Sequence, residues 1–273
     1  MKTFVVGDIH GRCAQLHALL DMLPRDESTD TLVFLGDLVD RGPDVPGCVE
    51  HVVKLCNESP ERVICLRGNH EQMLLDFIDG ANSIWMEPST GSDQTYEQFA
   101  GKRLLLQTEA DFDVARQTIA QSVPAEQLTF MRGLPLYHED DFALYVHAGL
   151  EDGKHPRDSS PHALLWTRDS DFYKSYRGKP CVFGHTPTPF LPLRGRLGRH
   201  GIYLHNSAIG IDTGYNIYSP LSCLSLPDFT LYQTFADGHT ATHHITMLIP
   251  ESMREMQRKA AGNADASSAS PVR

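Results

Sequence analysis

Within the first eighty residues, three short apolar runs alternate with three amphipathic stretches, and each apolar run stops at a glycine. Residues 2–7 (KTFVVG), 31–36 (TLVFLG) and 62–67 (RVICLR) read as buried strands. Residues 13–23 (CAQLHALLDML), 46–57 (PGCVEHVVKLCN) and 70–79 (HEQMLLDFID) read as helices, the first stopped by Pro24, since proline cannot continue a helix. Strands alternating with helices predict βαβ units and a parallel sheet. In such a sheet ligands bind beyond the carboxyl ends of the strands. The three glycine-bounded turns therefore share one edge.

The first turn, Gly7-Asp8-Ile9-His10-Gly11, sets an aspartate and a histidine two positions apart. Side chains at i and i+2 of an extended segment point the same way, and neither residue type belongs in a strand core. An oxygen and an imidazole nitrogen aimed at one point suit a divalent first-row transition metal. A hydrogen-bonded turn would explain this stretch alone equally well. The second run, however, ends in Gly36-Asp37-Leu38-Val39-Asp40-Arg41-Gly42 and the third in Gly68-Asn69-His70-Glu71. Two later runs, 142–146 (FALYV) and 181–183 (CVF), end in His147-Ala148-Gly149 and Gly184-His185-Thr186. Five strand ends carrying ligand-type residues beside glycine point to one site.

Residues 80–131 are more polar, with Pro-Ser-Thr-Gly-Ser at 88–92 and helical patterns near 110–131. They read as a helical insertion or cap over one face. Beyond 135 the runs at 142–146, 181–183, 201–204 (GIYL), 221–226 (LSCLSL) and 229–235 (FTLYQTF) predict a second, mixed sheet. One domain over 1–250 is expected, then a disordered tail at 251–273, which ends in small and polar residues. With 35 acidic and 24 basic residues the formal net charge is −11, which argues against a non-specific nucleic-acid binder. No apolar run is long enough for a bilayer and no segment reads as a signal peptide, so no membrane association is expected. Cys13, Cys48, Cys56, Cys65, Cys181 and Cys223 show no Cys-x-x-Cys spacing. Reduced thiols in a cytoplasmic protein are expected, with Cys13 an ordinary helix position.

The set GDIHG (7–11), GDLVDRG (36–42), GNHE (68–71), HAG (147–149) and GH (184–185) resembles, in content and order, the phosphoprotein phosphatase family of metal-dependent serine/threonine phosphatases. The likeness is to compact bacterial and phage-type members of the calcineurin-like metallophosphoesterase superfamily. Ile211-Asp212-Thr213-Gly214 resembles the family's final strand. The resemblance implies an α/β fold, a central β-sandwich of two mixed sheets flanked by helices in four layers. It implies two divalent metal ions, the first held by Asp8, His10 and Asp37, the second by Asp37, Asn69, His147 and His185. That nitrogen and oxygen set, without thiolate, suits Mn, Fe or Zn better than Ca or Mg, and Mn is the expectation. Two ions sharing a carboxylate lower the pKa of the water between them, which then attacks phosphorus in line without a phosphoenzyme.

The leaving alkoxide needs a proton. His70 follows a ligand position, and a carboxylate beside it, Asp40, would favour the imidazolium. The resemblance implies the same pair of catalytic residues. It also implies two phosphate-binding arginines: Arg41, and on the far side Arg168, with Arg157 and Arg177 as alternatives. Glu71 is expected to cap or orient the GNHE turn without binding metal. The implied substrate is a phosphoprotein bearing phosphoserine or phosphothreonine, with phosphotyrosine open. The rival is a symmetrical dinucleoside tetraphosphate hydrolase. Those relatives typically carry Ala for the Asp of VDRG and Asp for the Glu of GNHE, whereas this chain has Asp40 and Glu71. A non-catalytic scaffold should have lost ligands or the acid, and all are present.

Overall fold

Along a strand, side chains alternate between faces, and in β1 (Thr3–Val6) both faces are buried. Phe4 and Val6 pack among helices, whereas Val5 packs the other way, toward a second sheet. A strand buried on both faces belongs in the middle of a sheet that is covered twice. The computed structural model describes residues 1–104, 106, 108–193, 195–196, 198, 201–214, 216, 218–251 and 253–254.

β1, β2 (Thr31–Phe34) and β3 (Val63–Cys65) pair in parallel. They are linked by α1 (Cys13–Met22) and α2 (Val45–Glu58), and α3 (Asn69–Ile78) follows β3. The insertion supplies α4 (Ser92–Ala100), α5 (Glu109–Ser122) and α6 (Ala125–Gly133). The second sheet collects β4 (Tyr137–Glu139), β5 (Leu144–Val146), β6 (Cys181–Phe183), β7 (Tyr203–His205) and β8 (Ala208–Gly210), in the order β4-β5-β6-β8-β7. Between β5 and β6 lie α7 (Pro161–Trp166) and α8 (Ser170–Ser175). β9 (Leu221–Leu226), β10 (Thr230–Thr234) and β11 (Thr240–His244) complete the first sheet, in the order β11-β10-β9-β1-β2-β3.

Three apolar clusters define four layers. The first joins Phe4, Val6, Leu32 and Phe34 to α1, α2, α3 and the insertion helices. The second lies between the sheets, with Val5, Val33 and Leu224 against Tyr145, Val182 and Ile209. The third packs Val146 and Phe183 against Leu164, Phe172 and Tyr173 of α7 and α8. The order helix, sheet, sheet, helix is the predicted sandwich.

Two expectations need correction. Residues 221–226 and 229–235 do not join the second sheet; β9 pairs antiparallel with β1, and β10 with β9. Their alternation fits either sheet equally, and only the contact with β1 decides. β8 ends at Gly210, so residues 211–214, expected as part of a strand, are irregular chain that follows it. The insertion, between α3 and β4, carries α4, α5 and α6. Its Trp85, Tyr96 and Ile119 extend the helical layer of the first sheet. The tail expected at 251–273 lies, apart from residues 251, 253 and 254, outside the described residues. Met253 is buried with Ile245 and Ile249 at the end of the inter-sheet cluster.

Leu224→Ala would empty a fully buried side chain between the sheets. Truncations of this kind cost about 2–5 kcal/mol, so denaturant unfolding should show a loss of that size with the slope unchanged.

Candidate metal centre

The carboxyl ends of β1, β2, β3, β5 and β6 meet at one edge of the sandwich, with Asp37 at the junction. Its Oδ2 lies 3.5 Å from His10 Nε2 and 3.9 Å from His70 Nε2, and its Oδ1 lies 3.5 Å from His147 Nε2. Among the described residues, two groups have ligand atoms all within 4.8 Å of one another: His10, Asp37 and His70; and Asp37, His147 and His185. Asp37 belongs to both. Asn69 Oδ1 enters the second group, 2.8 Å from both His147 Nε2 and His185 Nδ1. The Asp8 carboxylate adjoins it and accepts the His185 amide at 3.0 and 3.2 Å.

The backbone sets the tautomers. His10 Nδ1 donates to Val39 O at 2.8 Å, and His147 Nδ1 donates to Leu35 O at 2.9 Å. Each ring then turns an Nε2 lone pair inward, as metal-ligating histidines do. At His147 this places an unprotonated nitrogen 2.8 Å from the Asn69 carbonyl oxygen. Two acceptors this close, both buried, are reconciled by a cation between them. The residues fit a metal.

Electrostatics divide the four buried imidazoles. Burial, with the charge of Arg41, holds His10 well below the usual histidine range. Burial likewise lowers His147 and, with His147 beside it, lowers His185 strongly. Neutral rings are the form that binds metal. His70 goes the other way: burial alone would lower it, but Asp37 and Asp40 together raise it above its ordinary value. Its Nδ1 donates to Asp40 Oδ2 at 2.6 Å. Asp37 is pushed up by burial, yet the imidazoles of His147, His70 and His10 hold it well below the carboxylate range. Asp8 is raised well above that range by burial and by the neighbouring charges of Asp212 and Asp37.

Sharp turns make this convergence possible. His10, Asp37, Asp40, Arg41 and His185 all have positive φ, between 47 and 72°. Left-handed backbone is uncommon for residues with a Cβ and persists where the surroundings enforce it. The glycines serve close approach. A Cβ on Gly68 would stand 2.1 Å from Asp37 Oδ1, and one on Gly184 would stand 2.0 Å from Asp8 Oδ1. Glu71 lies away from the cluster, as expected. Its carboxylate accepts the amides of Asp37, Leu38, Val39 and Gly68 at 2.7–3.2 Å.

Two arginines flank the centre. Arg41 Nη1 donates to His10 Nε2 at 2.7 Å and Nη2 donates to His70 Nε2 at 3.0 Å. Opposite, Arg168 Nε donates to His185 Nε2 at 3.2 Å. The alternatives point elsewhere: Arg157 bonds His155, and the exposed Arg177 bonds Ser175 O. One buried cation escaped sequence reasoning. Arg12 donates to the carbonyls of Asp8, Ile9, Ser219 and Pro220, bracing the first turn from beneath. An arginine at the entry to an apolar helix was the available signal.

The sequence profile of the calcineurin-like phosphoesterases matches residues 1–189. The chain belongs to this family. It is 44% identical over 190 residues to "Serine/threonine-protein phosphatase 1" of Salmonella typhimurium, covering 67% of this chain and 78% of that one. It is 35% identical over 107 residues to a symmetrical bis(5'-nucleosyl)-tetraphosphatase of Glaesserella parasuis, covering 39% of this chain and 36% of that one. A solved structure of a candidate diadenosine tetraphosphatase superposes with a TM-score of 0.57 at 22% identity, over 89% of this chain and 92% of that one; at that identity the match speaks to fold. No helix among the described residues of this metallophosphoesterase is long and apolar enough to cross a membrane.

Glu71→Gln would turn an amide NH₂ toward backbone N–H groups in a fully buried place. An unmatched buried donor costs about 1–3 kcal/mol. Chemical denaturation should register that loss.

Proposed function

We propose that this metallophosphoesterase is a dinuclear-metal phosphomonoesterase acting on phosphoserine and phosphothreonine in proteins. The carrying observation is the 2.6 Å bond between His70 and Asp40, beside which His70 alone of the four buried imidazoles is raised where the other three are lowered. Environments that push like groups apart mark acid and ligand roles.

In this reading Asp8, His10 and Asp37 hold one ion, and Asp37, Asn69, His147 and His185 hold the other. Mn is the metal proposed, because the donors are nitrogen and oxygen without thiolate. Two such ions, when bound, supply an activated water and stabilise charge on the phosphoryl oxygens. The protein's own groups do the rest. Arg41 and Arg168 grip the phosphate from opposite sides, a task suited to a planar guanidinium. Arg41 now donates to His70 Nε2; a phosphate oxygen is the better acceptor and frees that nitrogen. Once that nitrogen has taken up a proton from solvent, His70, oriented by Asp40, gives it to the leaving serine or threonine oxygen.

Support for a protein substrate comes from the Salmonella serine/threonine phosphatase, matched over 78% of its length, against 36% for the tetraphosphatase. Asp40 adds to it, because a phosphoserine alkoxide is a poor leaving group. The six free cysteines favour a reducing cytoplasm as the setting.

The test is a panel on the Mn-loaded protein: phosphoserine, phosphothreonine and phosphotyrosine peptides beside a dinucleoside tetraphosphate. Phosphoserine and phosphothreonine peptides should be hydrolysed, and chelation should abolish turnover. Much faster hydrolysis of the tetraphosphate would replace this reading with its rival. His70→Asn should lower kcat by about 10²–10⁴-fold with metal content unchanged, whereas Asp37→Asn should lose metal from both sites by elemental analysis. Because His70 is raised, turnover of the phosphoserine peptide should persist beyond the ordinary imidazole range and fall only at higher pH. Arg168→Ala should raise KM and weaken inhibition by free phosphate; Arg157→Ala and Arg177→Ala should do neither.

A further inference from the structure

Asp40 is completely enclosed, and only one of its bonds goes to His70. Thr95 Oγ1 donates to Asp40 Oδ1 at 2.6 Å and accepts the Asp40 backbone amide at 2.8 Å. Trp85 Nε1 lies 3.1 Å from both carboxylate oxygens. Trp85 and Thr95 are themselves fully buried. Trp85 packs on Phe77 of α3, with ring centroids 5.4 Å apart. Both donors come from the insertion, Trp85 from the short turn Ile84–Met86 and Thr95 from α4.

The same segment grips the rest of that turn. Gly91 O accepts the Arg41 amide at 3.0 Å. The Gln98 side chain accepts the Val45 amide at 2.7 Å and donates to Gly42 O at 2.9 Å. Asp40 and Arg41 have φ of 72 and 70°, left-handed conformations that persist only where the surroundings impose them. The insertion is the element that imposes them.

We infer that Trp85 and Thr95 are positioning residues for the Asp40–His70 pair, and that holding the turn of Asp40 and Arg41 is the task of the insertion. The inference rests on the reading of His70 as the proton donor. A carboxylate with one hydrogen bond can rotate about its χ2, whereas donors on both oxygens and a contact to its own amide fix its plane. With the plane fixed, one Oδ2 lone pair faces His70 Nδ1, and the far nitrogen of the ring points at one place. Removing the indole N–H or the hydroxyl leaves a buried carboxylate short of a donor, and it must turn. Neither residue bonds a proposed metal ligand or a phosphate-binding side chain. The loss should therefore fall on proton delivery, in kcat, and leave KM and metal content alone.

The experiment compares Thr95→Val, Thr95→Ser and Trp85→Phe with wild type as Mn holoenzymes, on a phosphoserine peptide and on 4-nitrophenyl phosphate. Nitrophenolate departs without a proton; the serine alkoxide does not. Thr95→Val and Trp85→Phe should lose on the order of 10–100-fold more kcat on the peptide than on the aryl ester, with KM and bound metal at wild-type values. Thr95→Ser keeps the hydroxyl and should stay within a few-fold of wild type. Placed on a His70→Asn background, Thr95→Val should add no further loss. Equal losses on both esters, a Thr95→Ser enzyme as poor as Thr95→Val, or additive losses with His70→Asn would each overturn the positioning role while the phosphatase reading stands. A wild-type holoenzyme inactive on both esters would instead overturn the reading on which it rests.

Discussion

Four backbone amides converge on the carboxylate of Glu71, and the centre depends on that convergence. Three come from Asp37, Leu38 and Val39 at the end of β2, and the fourth from Gly68 at the end of β3. Two turns from neighbouring strands are thereby fastened into one piece. The bond is returned, because Asp37 Oδ1 accepts the His70 amide at 3.0 Å, at the first turn of α3. A carboxylate at a helix N-terminus is favoured by the amide dipoles there. Asp37, Asn69 and His70 thus hold fixed relative positions without any loop of their own to stiffen them.

Around this piece the protein manages an unusual density of buried polar groups. Asp8, Asp37, Asp40 and Asp212 are all buried, and so are His10, His70, His147 and His185. Burying ionisable groups is costly unless each is paired or neutralised. Here three rings are held low in pKa, two of them with Nδ1 protons given to the backbone carbonyls of Val39 and Leu35, and the fourth, His70, is raised beside Asp37 and Asp40. Arg12 supplies positive charge from below, and Arg41 and Arg168 supply it from the sides. The division of labour follows the layers. The sheets set where the turns begin, the turns carry the proposed ligands, with His10, Asp37 and His185 in left-handed backbone, and the helical layer, insertion included, holds those turns in shape.

Much of the centre was legible because its chemistry is local. Each motif packs ligand-type residues and glycine into a few positions at a strand end, so residue type and order pointed to Asp8, His10, Asp37, Asn69, His70, His147 and His185 as one cluster, and the family resemblance supplied the role expected of each. The first three strands and helices were equally legible, since apolar runs bounded by glycine and proline carry their own punctuation. β4 and β8, three residues each, are too short to show an alternation, and β11 is mostly exposed and polar. Those strands exist because a neighbour offers hydrogen bonds, which no local pattern records.

What the sequence by itself determined is the set of reacting groups and the edge of the sheet that bears them, because motif spacing and strand direction are properties of a single segment. Only the tertiary structure decided which distant segments meet. It put β9 beside β1 rather than in the second sheet, set Arg168 rather than Arg157 or Arg177 beside His185, set the histidine tautomers through Val39 and Leu35, and brought Trp85 and Thr95 to Asp40. Each of these is a contact across 17 residues or more, fixed by the packing of one layer on another, and a residue's own neighbours in the chain carry no trace of it.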